Sequence, residues 1–377
     1  MKRAHRAPRR SARCCAGATT GERFDARAMT DVVWSEQGTT PDDIEAALRR
    51  LLARQHAENN DYVPARVLNM IAFVDRQWSG EIANRLGGVG RYNASRLLVL
   101  AYEPRRERLD ARVAIATERR APGELGLLRE TIVVEIGDRH LDDLLTIADP
   151  LVVTDMPTLL WSPHGHPEAL DALLPLAQAV LVDSVDEAVW REAIDRACAL
   201  SREAYVVDLA WLRSTPWRER IAAIFDPPHR RRELGAIAKV AVRHHPASTV
   251  AGMLLIGWLA ARLQWDVEPL LGHGEALIGK ARARRQDVAL RLQAAPEQQV
   301  RGLAGLSLEV SSGRRLSLDR GPGGLQAHAS DRGAERSWTL LGASRGEQGI
   351  LGEGIRQALL RDPTYVPALE AAQAMLP

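Results

Sequence analysis

Apolar residues recur along the N-terminal part of the chain at spacings that predict alternating helices and strands. Ile44 and Leu48 lie on one face of a predicted helix over residues 41–56. Two β-prone runs, over residues 66–74 and 97–102, flank a second and shorter predicted helix. This order predicts a β-α-β crossover, in which the two strands pair in parallel.

The next segment predicts a hairpin followed by a second α/β region. Residues 111–117 and 131–136 are apolar runs with a Pro-Gly break between them, and the alternation in the first run indicates an edge strand. A helix is predicted over residues 138–148. From Leu151 to about residue 208, short apolar strands alternate with helices. That alternation is typical of a doubly wound parallel sheet.

Residues 209–265 predict mainly helices. Two helices are expected over residues 209–225, because Pro216 interrupts the helical pattern there. A strand is predicted over residues 236–242. The helix over residues 248–263 is apolar on nearly every side, so we expect it to be buried.

The pattern changes after Trp265, where Gly, Arg and Ser become frequent. Short alternating runs between residues 287 and 342 are separated by polar turns, which predicts an antiparallel meander. Two last helices are expected over residues 348–361 and 366–375. The predicted fold class is α/β, with doubly wound, largely parallel sheets, a C-terminal antiparallel β meander and terminal helices (α+β).

These changes of pattern divide the chain into four segments. We predict a disordered extension over 1–40, an N-terminal α/β domain over 41–150, a second α/β region over 151–275 and a β-rich region ending in helices over 276–377. Residues 1–28 are Arg-rich and have no apolar run of the kind that a secretory signal requires. A translation start at Met29 is the alternative to a disordered extension.

Composition narrows the class of protein and its partners. The 377 residues are 46% hydrophobic and 26% charged, without an uninterrupted apolar window long enough to cross a membrane. The net charge of +2 gives no broad basic field, so we expect neither a membrane nor a nucleic acid as partner. Cys14, Cys15 and Cys198 have neither disulfide-framework nor zinc-site spacing, which favours a cytoplasmic protein.

Several motifs resemble ligand sites but have a simpler explanation. GGVGRYN at residues 87–93 has the glycines of a phosphate loop, yet it follows a helix and precedes a strand, which favours a helix C-terminus and turn. The close histidine pairs in SPHGHP and RHHP lack metal-ligand spacing. Cys198 lies on an apolar helix face, which favours a packed thiol. We predict no catalytic residue, no metal and no cofactor.

Aspartates and tryptophans provide the remaining candidates. Asp155, Asp183 and Asp208 each lie at an end of a predicted strand, where α/β enzymes place functional carboxylates. A strand-end aspartate also caps helices, so both interpretations stand. Nine tryptophans against three phenylalanines is an unusual ratio. Such large side chains either fill a core or anchor a partner.

Three stretches in the middle of the chain resemble the OpcA family, the glucose-6-phosphate dehydrogenase assembly proteins. The first, VTDMPTLLWSPHGHP with VLVDS, carries Asp155, Trp161 and Asp183. The second, DLAWLRSTPWRERIAAIFD, carries Trp211, Trp217 and Arg218. The third is STVAGMLLIGWLAARLQW, over residues 248–265.

The resemblance implies a non-catalytic assembly factor of the oxidative pentose phosphate pathway, with glucose-6-phosphate dehydrogenase as its partner. We expect the protein to bind the active form of the enzyme more tightly than the inactive form, since only differential affinity shifts such an equilibrium. The candidate partner contacts are Trp161, Trp211, Trp217 and Arg218. These residues would match the family equally well if they only held the fold together.

Two other functional classes remain open. One is a sugar-phosphate or nucleotide-binding sensor or enzyme that uses the crevice at the carboxyl ends of the strands. In that class Asp155 and Asp183, beside arginines, are the candidate ligand carboxylates. The other is a structural subunit, which forms a stable complex without changing the kinetics of its partner.

Overall fold

A computed structural model of the chain describes residues 32–58, 62–64, 67–87, 96–118, 126–284, 286–331, 333–341 and 346–377. Within these ranges the backbone forms two nine-stranded sheets. Of the predicted disordered extension over 1–40, residues 1–31 with Cys14 and Cys15 lie outside the described residues, whereas Val32–Glu36 form a strand. GGVGRYN after Gly87 also lies outside the described residues.

The first sheet is built from strands of the N-terminal half. They are β1 (Val32–Glu36), β2 (Tyr62–Pro64), β3 (Asn69–Asp75), β4 (Arg96–Tyr102), β5 (Asp110–Glu118), β6 (Gly126–Ile136), β7 (Thr158–Trp161), β8 (Ala179–Val182) and β9 (Tyr205–Asp208). Its main path runs β1-β5-β6-β4-β3-β7-β8-β9, and β2 pairs with β6. Every neighbouring pair from β6 to β9 is parallel, whereas β1 and β5 are antiparallel to their neighbours.

The six parallel strands are wound like a dinucleotide-binding sheet. From the central β3 the chain winds outward through β4 and β6, then returns to β7 beside β3 and winds outward through β8 and β9. Counted from β3, this is the order 3-2-1-4-5-6 of a doubly wound fold. The predicted doubly wound parallel sheet is confirmed. The winding reverses between β3 and β7, and such sheets bind ligands at the carboxyl ends of the strands beside this point.

The described residues form eleven α-helices. They are α1 (Pro41–Glu58), α2 (Ser79–Gly87), α3 (Leu144–Ala148), α4 (Pro167–Leu173), α5 (Trp190–Ser201), α6 (Leu209–Arg213), α7 (Thr215–Phe225), α8 (Pro228–Leu234), α9 (Thr249–Leu263), α10 (Gly346–Leu360) and α11 (Tyr365–Ala374). The predicted break near Pro216 is confirmed, because α6 ends at Arg213 and Pro216 lies in the first turn of α7. The helix predicted over 138–148 is shorter, since only α3 is α-helical there.

The second sheet is largely antiparallel. Its strands are β10 (Ile237–His244), β11 (Asp266–Val267), β12 (Leu271–His273), β13 (Ala276–Arg282), β14 (Asp287–Ala294), β15 (Leu303–Val310), β16 (Arg315–Gly321), β17 (Gly324–Asp331) and β18 (Ala334–Leu341). Of the meander predicted over residues 287–342, strands β15 to β18 pair in chain order, whereas β14 pairs with β13 and β10 instead of β15. β10 separates β14 from β15, because it pairs in parallel with β14 and antiparallel with β15.

The predicted edge position of β5 needs correction. The predicted hairpin of β5 and β6 is present, but β5 is not an edge strand because β1 pairs with it along its outer side. The second sheet takes β10, β11 and β12 from residues before 275, and the first sheet takes strands from both sides of residue 150. Division of the chain into domains at those positions stays a prediction.

Helix α9 joins the two halves of the molecule. It packs on β10 and β14 of the second sheet and on α5, α6 and α11. A Cβ at Gly257 would lie 2.2 Å from the carbonyl oxygen of Ala368, so the glycine permits close contact with α11. Within the described residues, Pro246–Leu263 is long and apolar enough to span a membrane by composition, but 61% of that window is buried inside the protein.

Candidate functional site

The carboxyl end of β3 borders the switch-point crevice, which we define by Asp75, Arg76, Tyr102, Glu103 and His166. The Nε2 atom of His166 lies 2.9 Å from Oδ1 of Asp75. The ring of His166 also packs edge-on against the ring of Tyr102, at 5.6 Å between centroids. His166, which follows β7, therefore contacts the last residues of β3 and β4 at the point where the winding reverses.

Charged side chains at this crevice are paired with one another. The Nε atom of Arg76 lies 2.9 Å from Oε2 of Glu135, and its Nη1 atom lies 3.4 Å from Oε1 of Glu103. Arg106 contacts Glu103 at 2.5 Å and Glu135 at 2.5 Å, and it also pairs with Asp110. The two arginines thus share carboxylates instead of facing the crevice as free cations.

These residues do not fit a bound dinucleotide. Dinucleotide sheets carry glycines in the turn after the first strand, so that backbone N–H groups approach the pyrophosphate, and an acidic residue after the second strand binds ribose. The corresponding turn here, residues 75–80, reads DRQWSG and begins with the carboxylate of Asp75. Glu103, which follows β4, is already paired with Arg76 and Arg106. We therefore derive no cofactor chemistry from the winding of the sheet.

A second region, the inter-sheet cleft, lies between the carboxyl ends of β7 to β9 and the second sheet. It encloses about 380 Å³. Its charged and aromatic lining residues are Trp161, Asp183, Asp186, Arg85, Arg213, Arg301, Arg320 and Glu347. Ala251 of α9 and Val300 add apolar surface. The cleft therefore combines four guanidinium groups, three carboxylates and an indole.

Arg213 is fixed at the wall of this cleft by two carboxylates. It ends α6, which starts directly after β9 because Asp208 caps the helix by accepting a hydrogen bond from the Ala210 N–H at 2.8 Å. Its Nη1 atom lies 2.8 Å from Oδ1 of Asp183, and its Nη2 atom lies 2.7 Å from Oε2 of Glu347. Burial opposes its charge, but the bonds to Asp183 and Glu347 outweigh burial and raise the pKa of Arg213.

The other arginines of the cleft differ in their pairing. Arg301 lies 3.2 Å from the carboxylate of Asp186. Within the part of the chain that the structure describes, no ion pair engages Arg85 or Arg320. The guanidinium of Arg85 lies 5.8 Å from the ring centroid of Trp161, and Nε of Arg320 donates to the carbonyl oxygen of Leu303 at 3.1 Å. Two guanidinium groups therefore line the cleft without a direct ion pair, although Arg85, after Arg213, helps to lower the pKa of the Glu347 carboxyl.

Beneath the cleft, a buried polar cluster connects the first sheet to the last two helices. The indole Nε1 of Trp211 donates to Asp362 at 2.9 Å, and the guanidinium of Arg218 lies 3.5 Å from the Trp211 ring centroid. The hydroxyl of Tyr365 donates to Asp208 at 3.2 Å. Burial lowers the pKa of Arg218 to about 10, although Asp362 lies beside it. This cluster holds α10 and α11 against α6 and β9.

The four predicted partner contacts lie inside the protein. Trp161, Trp211 and Trp217 are each 2% exposed, and the side chain of Arg218 is 10% exposed. Their matches to the family motifs are explained by the packing that they provide. A direct role in binding a partner stays a prediction.

The two candidate ligand carboxylates lie at opposite edges of the first sheet. Asp155 is in the turn before β7, at the amino end of that strand. Asp183 directly follows β8, so it lies at the carboxyl edge and in the inter-sheet cleft. The structure therefore does not bring the two together. Asp208 is buried, and burial followed by repulsion from Asp183 raises its pKa to about 6.

The remaining candidates have structural partners. His166 contacts Asp75, and the His245 ring accepts a hydrogen bond from the Ala247 N–H at 3.1 Å. Cys198 is buried in α5, and burial raises the pKa of its thiol to about 11. Among the described residues, no group of three or more His, Cys, Asp and Glu side chains is placed to hold a metal ion.

The fold and the site define a doubly wound protein whose switch-point crevice lacks the phosphate turn of a dinucleotide site. Residues 88–199 match the family described as the N-terminal domain of the glucose-6-phosphate dehydrogenase subunit. Residues 204–369 match the C-terminal domain of the same subunit. The chain therefore belongs to the OpcA family of glucose-6-phosphate dehydrogenase subunits, which confirms the resemblance in the sequence motifs.

Curated relatives share part of this chain. The OxPP cycle protein OpcA of Synechocystis sp. is 29% identical over 119 residues, which cover 30% of this chain and 25% of the relative. The protein of the same name from Nostoc punctiforme is 29% identical over 120 residues, covering 31% of this chain and 26% of the relative. The matched regions thus span about a quarter of the length of these two relatives.

Solved structures of oxidoreductases resemble the chain at low sequence identity. KijD10, a 3-ketoreductase from Actinomadura kijaniata, has a TM-score of 0.48 and 12% identity, covering 81% of this chain and 95% of that chain. The aldose-aldose oxidoreductase from Caulobacter crescentus has a TM-score of 0.46 and 8% identity, covering 82% and 95%. No conclusion about the function of this chain follows from similarity at this level.

Sequence reasoning did not single out the arginines of the inter-sheet cleft. Arg85 comes from α2, Arg301 from the loop before β15 and Arg320 from β16. No local motif joins positions that are so far apart in sequence. The sequence feature that could locate this cleft was Asp183, because it follows a parallel strand and ligands bind at the carboxyl ends of such strands.

Proposed function

We propose that this protein is a non-catalytic partner of glucose-6-phosphate dehydrogenase that binds the enzyme in the cytoplasm and favours its active form. The observation that carries the proposal is the match of residues 88–199 and 204–369 to the two domains of a dehydrogenase subunit family. That family membership supports association with the dehydrogenase. Activation is the further step that we propose.

The switch-point crevice supports a non-catalytic role. A dehydrogenase built on this sheet would bind its nucleotide beside β3, where glycines and backbone N–H groups receive the pyrophosphate. Here that turn carries Asp75, which contacts His166 at 2.9 Å, and Glu103 is paired with two arginines. A negatively charged pyrophosphate would be repelled by the first carboxylate, and the second is not free to bind ribose.

The proposed mechanism is a population shift. A partner that binds the active dehydrogenase tenfold more tightly than the inactive form shifts that equilibrium by about 1.4 kcal/mol. A partner that binds both forms equally changes no rate, however tightly it binds. Activation therefore requires a docking surface that distinguishes the two forms of the enzyme.

The proposal is tested by dehydrogenase kinetics. The rate of NADPH formation is measured against glucose 6-phosphate concentration, with the dehydrogenase from the same organism, with and without this protein. We expect a lower half-saturation concentration or a higher maximum rate, together with co-elution of both proteins in size-exclusion chromatography. An equal mass of serum albumin controls for non-specific stabilisation of the dilute enzyme.

The other outcomes separate the competing functions. Co-elution without a kinetic change would support the structural subunit and contradict activation. Neither co-elution nor a kinetic change would contradict partnership with this dehydrogenase altogether. NADP-dependent turnover of a sugar phosphate by this protein alone would contradict the non-catalytic part of the proposal.

The predicted partner contacts need conservative variants, because they are buried. Trp161→Phe and Trp217→Phe keep an aromatic side chain in the core, so we expect both variants to fold. If either indole contributes to docking, activation falls while the thermal midpoint of the protein stays within a few degrees. Equal activation by these variants and the parent protein would assign both tryptophans to the core alone.

A further inference from the structure

The inter-sheet cleft contains cationic groups that the proposed dehydrogenase partnership does not use. We propose that this cleft is a binding site for a small phosphorylated sugar. Arg85 and Arg320 would bind the phosphate group, and the carboxylates of the cleft would accept hydrogen bonds from the sugar hydroxyls. This assignment does not rest on the identity of the protein partner.

The pairing of charges identifies the anion subsite. Four arginines and three carboxylates line the cleft. Asp183 and Glu347 are both bound to Arg213, and Asp186 is bound to Arg301. Within the described residues this leaves the guanidinium groups of Arg85 and Arg320 without a direct ion pair, and the nearby Glu347 is already bound to Arg213. A phosphate monoester carries between one and two negative charges at neutral pH, which these two groups would balance.

The size of the cleft limits the ligand. Small-molecule sites in proteins enclose roughly 300–1,000 Å³, and the cleft encloses about 380 Å³. Its volume is therefore at the lower end of that range. A single phosphorylated sugar fits this volume better than a dinucleotide, whose two nucleotides require a longer groove.

The remaining lining residues suit a polyhydroxylated ligand. The carboxylate oxygens of Asp183 and Glu347 can each accept more than one hydrogen bond, so they can bind hydroxyl groups while they remain paired with Arg213. Val300, which is 57% exposed, gives the cleft apolar surface against which the C–H face of a sugar ring can pack. Charged, acceptor and apolar groups therefore occur within a single cavity.

The position of the cleft in the fold supports the same assignment. Doubly wound sheets bind ligands outside the carboxyl ends of their strands. At the β3 end of that edge, paired side chains occupy the crevice. At the β7 to β9 end, the second sheet forms the opposite wall and leaves a cavity. The open part of the edge is therefore the part that carries the unpaired arginines.

Calorimetric titration of the protein alone tests this site. The probes are glucose 6-phosphate, glucose and inorganic phosphate, each titrated under identical buffer conditions without phosphate. We expect saturable binding of glucose 6-phosphate and at least tenfold weaker binding of the other two. Absence of saturable binding by glucose 6-phosphate would overturn the proposal. Equal binding of inorganic phosphate would overturn the assignment to a sugar.

Two variants locate the bound phosphate. Arg85→Ala and Arg320→Ala each remove a guanidinium without leaving an unpaired carboxylate, so we expect folded proteins with at least tenfold weaker binding. Arg85→Lys and Arg320→Lys retain a cation and should restore part of the affinity. Arg232→Ala removes an exposed arginine of α8 outside the cleft and should bind like the parent protein.

The variants also distinguish specific binding from general charge attraction. Equal weakening by Arg232→Ala would show attraction to net charge and would overturn the site. Unchanged affinity in both Arg85→Ala and Arg320→Ala would do the same. Since these titrations contain no dehydrogenase, their failure is independent of a failure of the kinetic test for partnership.

Discussion

The switch-point crevice and the inter-sheet cleft lie along the same edge of one sheet but use their charges differently. In the crevice, Arg76 and Arg106 share the carboxylates of Glu103 and Glu135. In the cleft, Arg213 is paired in the same way, whereas Arg85 and Arg320 have no carboxylate partner in the described part of the chain. The first region is electrostatically self-contained, and the second has cationic groups available for a ligand.

This difference shows that a sheet wound like a dinucleotide-binding sheet can lack the dinucleotide site and still have a cavity for another ligand at the same edge. The winding of the strands places both regions, but the side chains after each strand decide whether a ligand can bind. We expect removal of one member of an ion pair to lower the unfolding free energy, because its partner is then left without a counter-charge. Unpaired charges in an open cleft should contribute mainly to binding.

The largest expected effect comes from breaking the pairing within the cleft. Arg213→Ala would leave the carboxylates of Asp183 and Glu347 near one another without their cation. We expect a loss of about 4 kcal/mol in unfolding free energy, since removal of one partner leaves uncompensated charge. Urea unfolding followed by circular dichroism measures it. Arg213→Lys retains the charge and should lose less, and equal losses would show that packing dominates.

A pH-dependent effect is expected from Asp208, at the end of β9. Burial raises its pKa to about 6, so the folded protein binds this proton more tightly than the unfolded chain with a pKa of 3.8. The resulting stabilisation is fully present below pH 3.8 and is lost as pH rises through about 6. Compared with Asp208→Asn, the parent protein should lose about 2 kcal/mol between pH 4 and 7.

The measurement for Asp208 is urea unfolding of both proteins at several pH values. The informative quantity is the difference in unfolding free energy between parent and variant at each pH, because other carboxylates contribute equally to both. A difference that stays constant across this range would show that Asp208 has an ordinary pKa in the folded protein.

A smaller effect is expected from the switch-point crevice. Arg106→Ala removes a guanidinium that contacts Glu103, Asp110 and Glu135. We expect a loss of about 1.5 kcal/mol, because the site is partly accessible to solvent and salt screens the remaining repulsion. The loss should shrink in 1 M NaCl. A loss that does not depend on salt would indicate that the arginine acts through packing.

The smallest expected effect is that of the two unpaired arginines on stability. Arg85→Ala and Arg320→Ala should each change the unfolding free energy by about 1 kcal/mol or less, since only the contact of Arg85 with Trp161 or the hydrogen bond of Arg320 to Leu303 is lost and no ion pair is broken. Differential scanning calorimetry measures the shift. A loss above about 2 kcal/mol in either variant would mean that the cleft depends on that arginine for its structure.

The fold was largely predictable where structure depends on local pattern. The alternation from Leu151 to Asp208 predicted the parallel strands, and Pro216 predicted the boundary between α6 and α7. The position of β10 between β14 and β15 was not predictable, because both neighbours lie far along the chain. The local pattern of apolar residues indicates that a segment is a strand, but not which distant strand it pairs with. The same reason explains β1 beside β5.

The candidate site was less predictable than the fold. Asp183 was identified from its position at a strand end, and the structure places it in the cleft. Asp155 was chosen by the same rule, but strand β7 starts at Thr158, after Asp155, so this carboxylate lies at the other edge of the sheet. Motif matches also could not separate Trp211, which is 2% exposed, from a surface anchor.

The central position of β10 has a consequence for synthesis of the protein. Both strands that flank β10 are translated later, and the second is complete only at Val310, 66 residues after His244. At about 5–20 residues per second, the ribosome needs roughly 3 to 13 seconds to supply them. Until Ala294 is made, β10 has no neighbour on either side, and its buried Val240 and Val242 have no sheet to join. From Ala294 to Val310, β14 is the one neighbour that it can pair with. The nascent chain should therefore depend on chaperones most strongly while residues 245–310 are being made.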